Sequence, residues 1–462
     1  MPATAYGPRF VWKNSAVAAD PKWVERDVFT RLAKWGLARD GLAAVAFSGG
    51  GDSTALLALI TKWFDKGRVF AFIIDHGLRP QSSAEARLAK ARAEALGARA
   101  EILTCDWPQG RPETGLQEKA RQARYAHLAR ACDALDGSHI PLFLGHNRDD
   151  QLETVFMRRQ AGSGWRGLAG MAECAPLPVV STTKNVRVMR PLLAWSREEL
   201  RLYNQAQALK WIDDPSNSNK TFARIRARER LKADPLLGDM LTADNFAARE
   251  TLEIEKQVLF RFLTETTKIT KWGGLVLSGG FLQAPIGQIA EALRYLLPTV
   301  SGQFKAISAE QRRALARSLR GRDFKGATLG GVRFAVQKET VLCVRDMGAL
   351  TGRHQKPALA PLPVSADARV LWDHRFSITS QHAGQVVALA VCSNRLSKAQ
   401  KEMIKDIPSA ARGGLPVLQL PDGQIRLPDG AGMNTGTGFY ARALLSQRLQ
   451  GLLRERCESF SP

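Results

Sequence analysis

Cysteine is scarce in this chain and nowhere paired at short range. Cys105, Cys132, Cys174, Cys343, Cys392 and Cys457 are scattered over 462 residues with no Cys-x-x-Cys pair. That spacing argues against a zinc framework and a disulfide scaffold. It leaves six small apolar residues suited to a reducing compartment. No apolar run approaches the ~18 residues that cross a bilayer. The N-terminus is polar, bears Pro2 and Pro8, and lacks the apolar core of a signal peptide. A cytoplasmic protein with no membrane partner is expected. Acidic residues are in deficit too: 44 Asp and Glu face 66 Lys and Arg, for a net charge of +22. An excess of that size points to a polyanionic partner, a nucleic acid or an anionic surface. A protein that is merely soluble and basic is the plainer alternative.

What the chain does have is length for about three domains, a 45% hydrophobic content that supports a core, and one organising stretch, Val45-Ala46-Phe47-Ser48-Gly49-Gly50-Gly51-Asp52-Ser53-Thr54-Ala55-Leu56-Leu57. Residues 42–47 read as a buried strand, and apolar spacing after Thr54 reads as a helix. Glycines between them let the backbone turn and let a ligand approach its amides. Helix N-terminal amides attract phosphate, and Ser53 or Thr54 is a candidate cap. The loop lacks the Gly-Lys-Ser/Thr of a Walker loop and the Gly-x-Gly-x-x-Gly dinucleotide pattern.

Strict alternation follows. A leading amphipathic helix carries Trp23, Val24, Val28, Leu32 and Leu37. Strands are expected at 42–47, 69–74, 99–103 and 140–144, with helices at 54–64, 83–96, 116–135 and 149–159. This pattern predicts an α/β fold, a doubly wound parallel sheet covered on both faces. Ligands on such sheets sit at the carboxyl ends of strands, and the candidate residues lie there. Asp75, His76 and Arg79 crowd the turn after the second strand. Glu118, Arg121 and Tyr125 share a helix face, with Arg124 adjacent. Asp149, Asp150 and Glu153 place three carboxylates in one helical turn, which suits Mg²⁺ bridging phosphates; acids complementing the helix dipole are the alternative. Arg158 and Arg159 lead into Ala161-Gly162-Ser163-Gly164-Trp165-Arg166, a basic aromatic segment read either as a mobile RNA-contacting loop or as a linker. A last strand at 186–193 contains Arg190, a helix follows at 197–207, and Arg224, Arg226, Arg228 and Arg230 form a positive collar.

Ser-Gly-Gly-Gly-Asp-Ser resembles the pyrophosphate-binding loop of the N-type ATP pyrophosphatases, the PP-loop enzymes. The later motifs narrow this: Asp75-His76-Gly77-Leu78-Arg79, Glu118-x-x-Arg-x-x-Arg-Tyr125, Gly145-His146-x-x-Asp-Asp-Gln-x-Glu-Thr154, Gly162-Ser-Gly-x-x-Gly-Leu168, Arg190-Pro-Leu-Leu193 and Asp214-Pro-Ser-Asn217 before an arginine helix. In this order they resemble the tRNA(Ile)-lysidine synthetase family over residues 40–230. The resemblance implies a ligase that uses ATP and Mg²⁺ to adenylate C2 of the wobble cytidine in the CAU anticodon of a minor isoleucine tRNA. L-lysine then displaces AMP through its ε-amine. It implies nucleotide contacts at Ser48, Gly49, Gly50, Gly51, Asp52, Ser53, Asp75, Arg79 and His146. Asp52, Asp149 and Asp150 become the catalytic acids, and these with Glu153 the metal ligands. Arg121, Arg124, Arg158, Arg159, Arg166, Arg190, Arg224, Arg226 and Arg228 become tRNA contacts. Ala161 stands where relatives usually carry a basic residue.

Beyond residue 235 the spacing turns to long helices at 246–264, 286–297 and 309–319, with a hairpin about Gly330-Gly331. A proline-rich linker at 357–363 precedes an α+β piece. Ile407-Pro408…Arg412…Leu415-Pro416-Val417-Leu418 resembles the C-terminal tRNA-binding domain of longer family members. A basic helix at 396–407 sets Lys398, Lys401 and Lys405 on one face as further tRNA contacts. The expected domains are 22–232, catalytic; 235–350, mainly helical; and 365–462, α+β and separable at the linker. A homodimer is admitted. Rivals are a tRNA thiolase, for which no Cys-x-x-Cys is present, a small-molecule synthetase of the same superfamily, which would not need +22, and a non-catalytic RNA-binding relic, against which the intact acids speak.

Overall fold

The computed structural model describes residues 21–77, 81–105, 116–136, 139–177, 185–212, 223–303, 307–353 and 357–453. Helix α1 (Pro21–Lys34) leads into β1 (Ala43–Ala46), α2 (Gly51–Trp63), β2 (Val69–Asp75), α3 (Ser82–Ala95), β3 (Arg99–Thr104), α4 (Leu116–Ala134), β4 (His139–Leu144) and α5 (Arg148–Gln160). Then come α6 (Trp165–Leu168), β5 (Cys174–Pro176), β6 (Asn185–Met189), α7 (Arg197–Ala206) and α8 (Ala223–Ala233). The strands join in the order β3-β2-β1-β4-β6-β5. The first five are parallel, and β5 adds antiparallel to β6 at the edge. Strand β5 was not anticipated, because three residues ending in Pro176 are too few to show alternation.

Period-2 alternation supplies both faces of the sheet. Ala43 and Val45 of β1 pack with α1, α2 and α3 through Val28, Leu57, Ile60 and Ala89. Ala44 points the other way, to Tyr125, Leu128 and Cys132 of α4. Strand order reverses between β1 and β4. Their carboxyl ends therefore open a crevice at the switch point, where such sheets bind ligands.

Helix α9 (Pro235–Thr266) runs for 32 residues. It starts eleven residues before the spacing suggested, because Asp234 caps it through the Leu237 amide (3.1 Å) and Pro235 fits its first turn. The region read as mainly helical also holds a five-stranded antiparallel sheet. Its strands, in spatial order, are Thr267–Ile269, Leu275–Leu277, Thr340–Arg345, Val332–Gln337 and Ala327–Leu329. The first two are again too short to read from sequence. Strand Thr340–Arg345 is buried on both faces. Val341 and Cys343 pack among helices Ile286–Ser301 and Ala309–Arg320, while Leu342 and Val344 pack against the C-terminal part.

That part consists of two four-stranded sheets. It shares a core with the middle layer. Its last helix, Leu445–Leu453, places Leu445, Leu449 and Leu453 in the same core as Leu259 and Leu293. Asp373, in the turn after Trp372, receives Arg345 at 3.0 and 3.1 Å and Arg375 at 2.6 Å, all almost fully buried. The proline-rich stretch is thus a crossing between packed layers. No helix among the described residues is long and apolar enough to cross a membrane.

Candidate active site and nucleic-acid interface

The glycine loop closes the end of β1. Gly49 has φ +79°, and a Cβ there would meet Ile212 at 2.9 Å and Ala89 at 3.2 Å. Only glycine fits both the angle and the space. Gly50 is the N-cap of α2 and provides no side-chain cap. Neither Ser53 nor Thr54 caps the helix, because both lie inside its first turn. Ser53 Oγ instead donates to the Gly50 carbonyl (2.9 Å) and accepts from the Ser48 amide (3.3 Å). The loop is therefore shaped by its own hydroxyls, and the amides opening α2 receive no side-chain cap. That is the anion-binding arrangement of a helix N-terminus. Gly145, at the end of β4, lies where a Cβ would be 3.2 Å from the Ser53 amide nitrogen. The two strand ends are in close contact across the crevice.

The acids have a different arrangement from the one expected. Asp150 forms a capping box with Asn147 (2.9 and 3.1 Å) that starts α5. Asp149 accepts the Arg197 amide at 2.7 Å. Glu153 is buried and accepts Arg228 Nε at 2.7 Å, which pins α8 to α5. The Arg197 side chain lies between Asp52 and Asp150, 3.4 Å from each. Among the described residues no group of three or more His, Cys, Asp or Glu side chains gathers as a metal site. Of the four carboxylates, Asp52 and Asp150 face one guanidinium, while Asp149 and Glu153 are engaged by the Arg197 amide and Arg228. Arg197 and Arg228 supply the positive charge that the crowded acids require. Burial pushes the Asp52 carboxyl above its usual value, Arg197 acts against that shift, and Asp150 adds to it. Burial likewise raises Glu153, with Arg228 opposing.

Sequence reasoning missed Arg197. A signal existed: it occupies the first position of α7, where the helix dipole disfavours a cation unless acids face it. Asn204 was also missed; buried, it donates to the Gly51 carbonyl at 2.9 Å and fixes the loop from behind.

Asp75 lies at the end of β2 as expected, but its oxygens are engaged by the chain. Oδ1 accepts the Gly77 amide (2.9 Å) and Oδ2 the Ser83 hydroxyl (2.8 Å). Burial works against its charge, yet the Gly77 amide and the Ser82 and Ser83 hydroxyls hold the carboxyl below its usual range. It shapes the turn. Arg79 lies outside the described residues.

The basic residues divide into two sets. Arg121, Arg124, Arg158, Arg190 and Arg224 gather beside the crevice. Arg190 Nε donates to His146 Nδ1 at 3.3 Å. Burial first, then Arg190, Arg124, Arg224 and Arg121, lowers His146 well below its usual value, so its ring is neutral at pH 7. Arg121 and Arg124 stand over the buried Tyr125 ring at 5.1 and 5.3 Å. Arg158 is lowered by burial and by Arg121, while Nη1 donates to the Gly167 and Gly170 carbonyls at 3.0 and 2.9 Å.

The second set is already paired with the chain's own acids. Arg159 pairs with Asp244, Arg166 with Glu255 and Glu291, and Arg228 with Glu153. The 161–168 segment is not an open loop: α6 is tied to α9 by Asn245 donating to the Leu168 carbonyl (2.7 Å). Arg166 covers Trp165 at 4.4 Å, so that ring face is already stacked. Arg224 and Arg226 are exposed. In the C-terminal part, the basic helix shrinks to Lys398–Met403, because Leu396, Ile404 and Ile407 are buried. Lys398 and Lys401 are exposed on it, whereas Lys405 lies past its end and pairs with Glu402. The three lysines do not share one helical face.

Residues 26–234 match a family described as the PP-loop domain, an ATP-binding domain. A tRNA(Ile)-lysidine synthase of Hyphomonas neptunium is 37% identical over 72% of this chain and 85% of its own length. The chain belongs to the tRNA(Ile)-lysidine synthase family. The Caulobacter vibrioides member is 32% identical over 82% of this chain and 84% of its own. A solved U34-tRNA thiolase of Methanococcus maripaludis covers 50% of this chain and 79% of its own at 18% identity, with a TM-score of 0.43. The lysidine synthase match extends well past the PP-loop domain.

Proposed function

We propose that this chain joins L-lysine to C2 of the wobble cytidine in the CAU anticodon of tRNA(Ile), consuming ATP and releasing AMP and pyrophosphate. One observation carries the reading: in a chain of this family, an amide-lined glycine loop and a cluster of five arginines converge on the same strand ends. The amides of Gly49, Gly50 and Gly51, with the Ser53 hydroxyl, would hold the departing pyrophosphate. The arginine cluster would seat the anticodon backbone, with phosphate contacts fixing position and leaving the chemistry to the nucleotide site. Neutral His146, its Nδ1 already accepting from Arg190, can donate one hydrogen bond there from Nε2 without adding charge.

The chemistry is in-line. The cytidine C2 oxygen attacks the α-phosphorus and pyrophosphate leaves. The lysine ε-amine then attacks C2 and AMP leaves with the oxygen. Positioning and charge compensation do most of the work in such transfers. Asp52 and Asp150 fit a single cation between them, since both reach the same guanidinium, and a few carboxylates plus phosphate oxygens suit Mg²⁺. Bound there, Mg²⁺ would neutralise the leaving group's charge. Arg197 holds the two carboxylates apart from each other's repulsion until then. ATP and tRNA as substrates, with buried cysteines, fit a cytoplasmic setting. Pyrophosphate release should require ATP and tRNA, and lysine should be needed for AMP release and for turnover beyond the first. Release with ATP and lysine but no tRNA would favour a small-molecule synthetase, and no release would favour a non-catalytic RNA binder.

A further inference from the structure

Three arginines meet where the middle layer joins the C-terminal part, and one carboxylate faces them. Arg345 ends the strand Thr340–Arg345 of the middle sheet. Asp373 and Arg375 belong to the turn between the C-terminal strands Arg369–Trp372 and Phe376–Ser380. Arg448 lies on the last helix, Leu445–Leu453. Turn and helix are fastened together: the Leu444 amide donates to the Arg375 carbonyl (2.8 Å), and the Arg448 amide donates to the Leu444 carbonyl (3.0 Å). Arg448 therefore stands one helical turn from Arg375.

The carboxylate is occupied by two of the three. Asp373 Oδ2 accepts Arg345 Nε at 3.0 Å and Arg375 Nε at 2.6 Å, and Oδ1 accepts Arg345 Nη2 at 3.1 Å. Further guanidinium nitrogens go to neutral carbonyls, from Arg345 Nη1 to Gly331 (3.2 Å) and from Arg375 Nη2 to Gly414 (2.8 Å). Asp346, the next acid along the chain from Arg345, is engaged by Arg353 at 3.1 Å. Arg448 Nε is buried and has no acceptor. The same holds for Nε1 of the buried Trp372, over whose ring Arg375 stands at 5.7 Å. Burial pushes the Arg448 guanidinium down to about 10, with Asp373 opposing and Arg375 adding to the shift, so it keeps its charge at pH 7. The first turn of the last helix contains no acid, and its positive end adds to the excess. Uncompensated buried charge and unsatisfied buried donors both cost stability.

We infer that Arg375 and Arg448, beside Arg345 and Trp372, form a site for a small inorganic oxyanion of the phosphate class, which clamps the C-terminal part to the middle layer. Such an ion matches the excess charge and brings several acceptors to donors that have none, and guanidinium nitrogens bind it strongly. Arg345 and Arg375 are almost fully buried, and of the three arginines only Arg448 reaches solvent. A free ion can enter past Arg448; a nucleic-acid phosphate, with a sugar on either side, does not fit that approach. The site shares no residue with the glycine loop or the arginines of the crevice.

Thermal unfolding of the full chain, with saturating MgATP to occupy the glycine loop, reads the site. Replacing chloride by about 20 mM phosphate at constant ionic strength should raise the Tm by about 2 °C or more. Arg448→Met keeps an apolar stem, removes the charge and should erase that shift. Arg448→Gln is the second variant and should do the same. In equilibrium dialysis against radiolabelled phosphate, the unchanged chain should hold one phosphate more than either variant. No shift in the unchanged chain would overturn the proposal. So would an equal shift or equal phosphate content in a folded variant, which places the ion at the arginines of the crevice. A lower tRNA affinity and a shallower salt slope in Arg448→Met, with no phosphate response in the unchanged chain, would assign Arg448 to the tRNA backbone instead.

Discussion

Replacing Arg197 by Gln tests the electrostatic frame of the site. The guanidinium stands 3.4 Å from Asp52 and 3.4 Å from Asp150, and the three side chains are 18–26% exposed. Exposed pairs contribute about 0.2–1 kcal/mol, and breaking a fully buried one costs about 3–5 kcal/mol. Two contacts of intermediate burial place the loss at about 1–2 kcal/mol at pH 7. The pH dependence has a definite sign. The Asp52 carboxyl is already raised by burial, with Arg197 holding it down. Without Arg197 it rises further, so the variant's deficit is small at acid pH, where Asp52 is protonated. The deficit grows as pH climbs through the carboxylate range. Thermal unfolding of both proteins from about pH 4 to pH 8, without divalent ions, measures this. Adding Mg²⁺ and ATP should then narrow the gap at pH 7, because a bound cation supplies the missing charge. A gap that is absent, or constant across pH, would refute the assignment of Arg197 as counter-ion to Asp52.

Asp52→Asn should keep the fold and slow pyrophosphate release by about a hundredfold or more, the effect of losing ~3 kcal/mol of preorganised charge stabilisation; near-normal release would contradict its role. Charge reversal at Arg121 and Arg224 should lower tRNA affinity and reduce the log–log salt slope by about one per lost phosphate contact, and an unchanged slope in filter binding would make them a solvated face. Asp373→Ala leaves Arg345 and Arg375 buried without their carboxylate and should cost about 3–5 kcal/mol in urea unfolding. Burial opposes charge on Asp373, but Arg375 and Arg345 outweigh it, so this contribution is present above the usual carboxylate value and lost as pH falls through the lowered one. Ending the chain at 364 should unfold the middle layer, since it removes Leu445 and Leu449 from that core; a folded, soluble truncation would show that the layers separate after all.

Much of the nucleotide fold was legible because it is periodic. Four strand–helix alternations and a glycine loop announce a parallel sheet and its ligand end, and the structure differs there mainly by a few residues at element ends. What was not legible depends on partners distant in sequence. The acids at 149, 150 and 153 look like a metal cluster until Arg197 and Arg228 come beside them. Arg159 and Arg166 look like phosphate ligands until α9 and the helix Ile286–Ser301 bring Asp244, Glu255 and Glu291 to them. Strands of two or three residues carry no alternation to read. The linker at 357–363 suggested a detachable module, because local composition cannot show that the helix Leu445–Leu453 folds back into the preceding core.

The central claim is that this chain attaches lysine to one cytidine of a tRNA. Mass spectrometry of nuclease-digested tRNA(Ile) after incubation with the protein, ATP, Mg²⁺ and L-lysine tests it most directly. The account predicts one anticodon fragment heavier by lysine less one water, absent when ATP is omitted and absent with Asp52→Asn. An unmodified anticodon under conditions where the protein is folded and binds the tRNA, or a sulfur-for-oxygen exchange in its place, would contradict it.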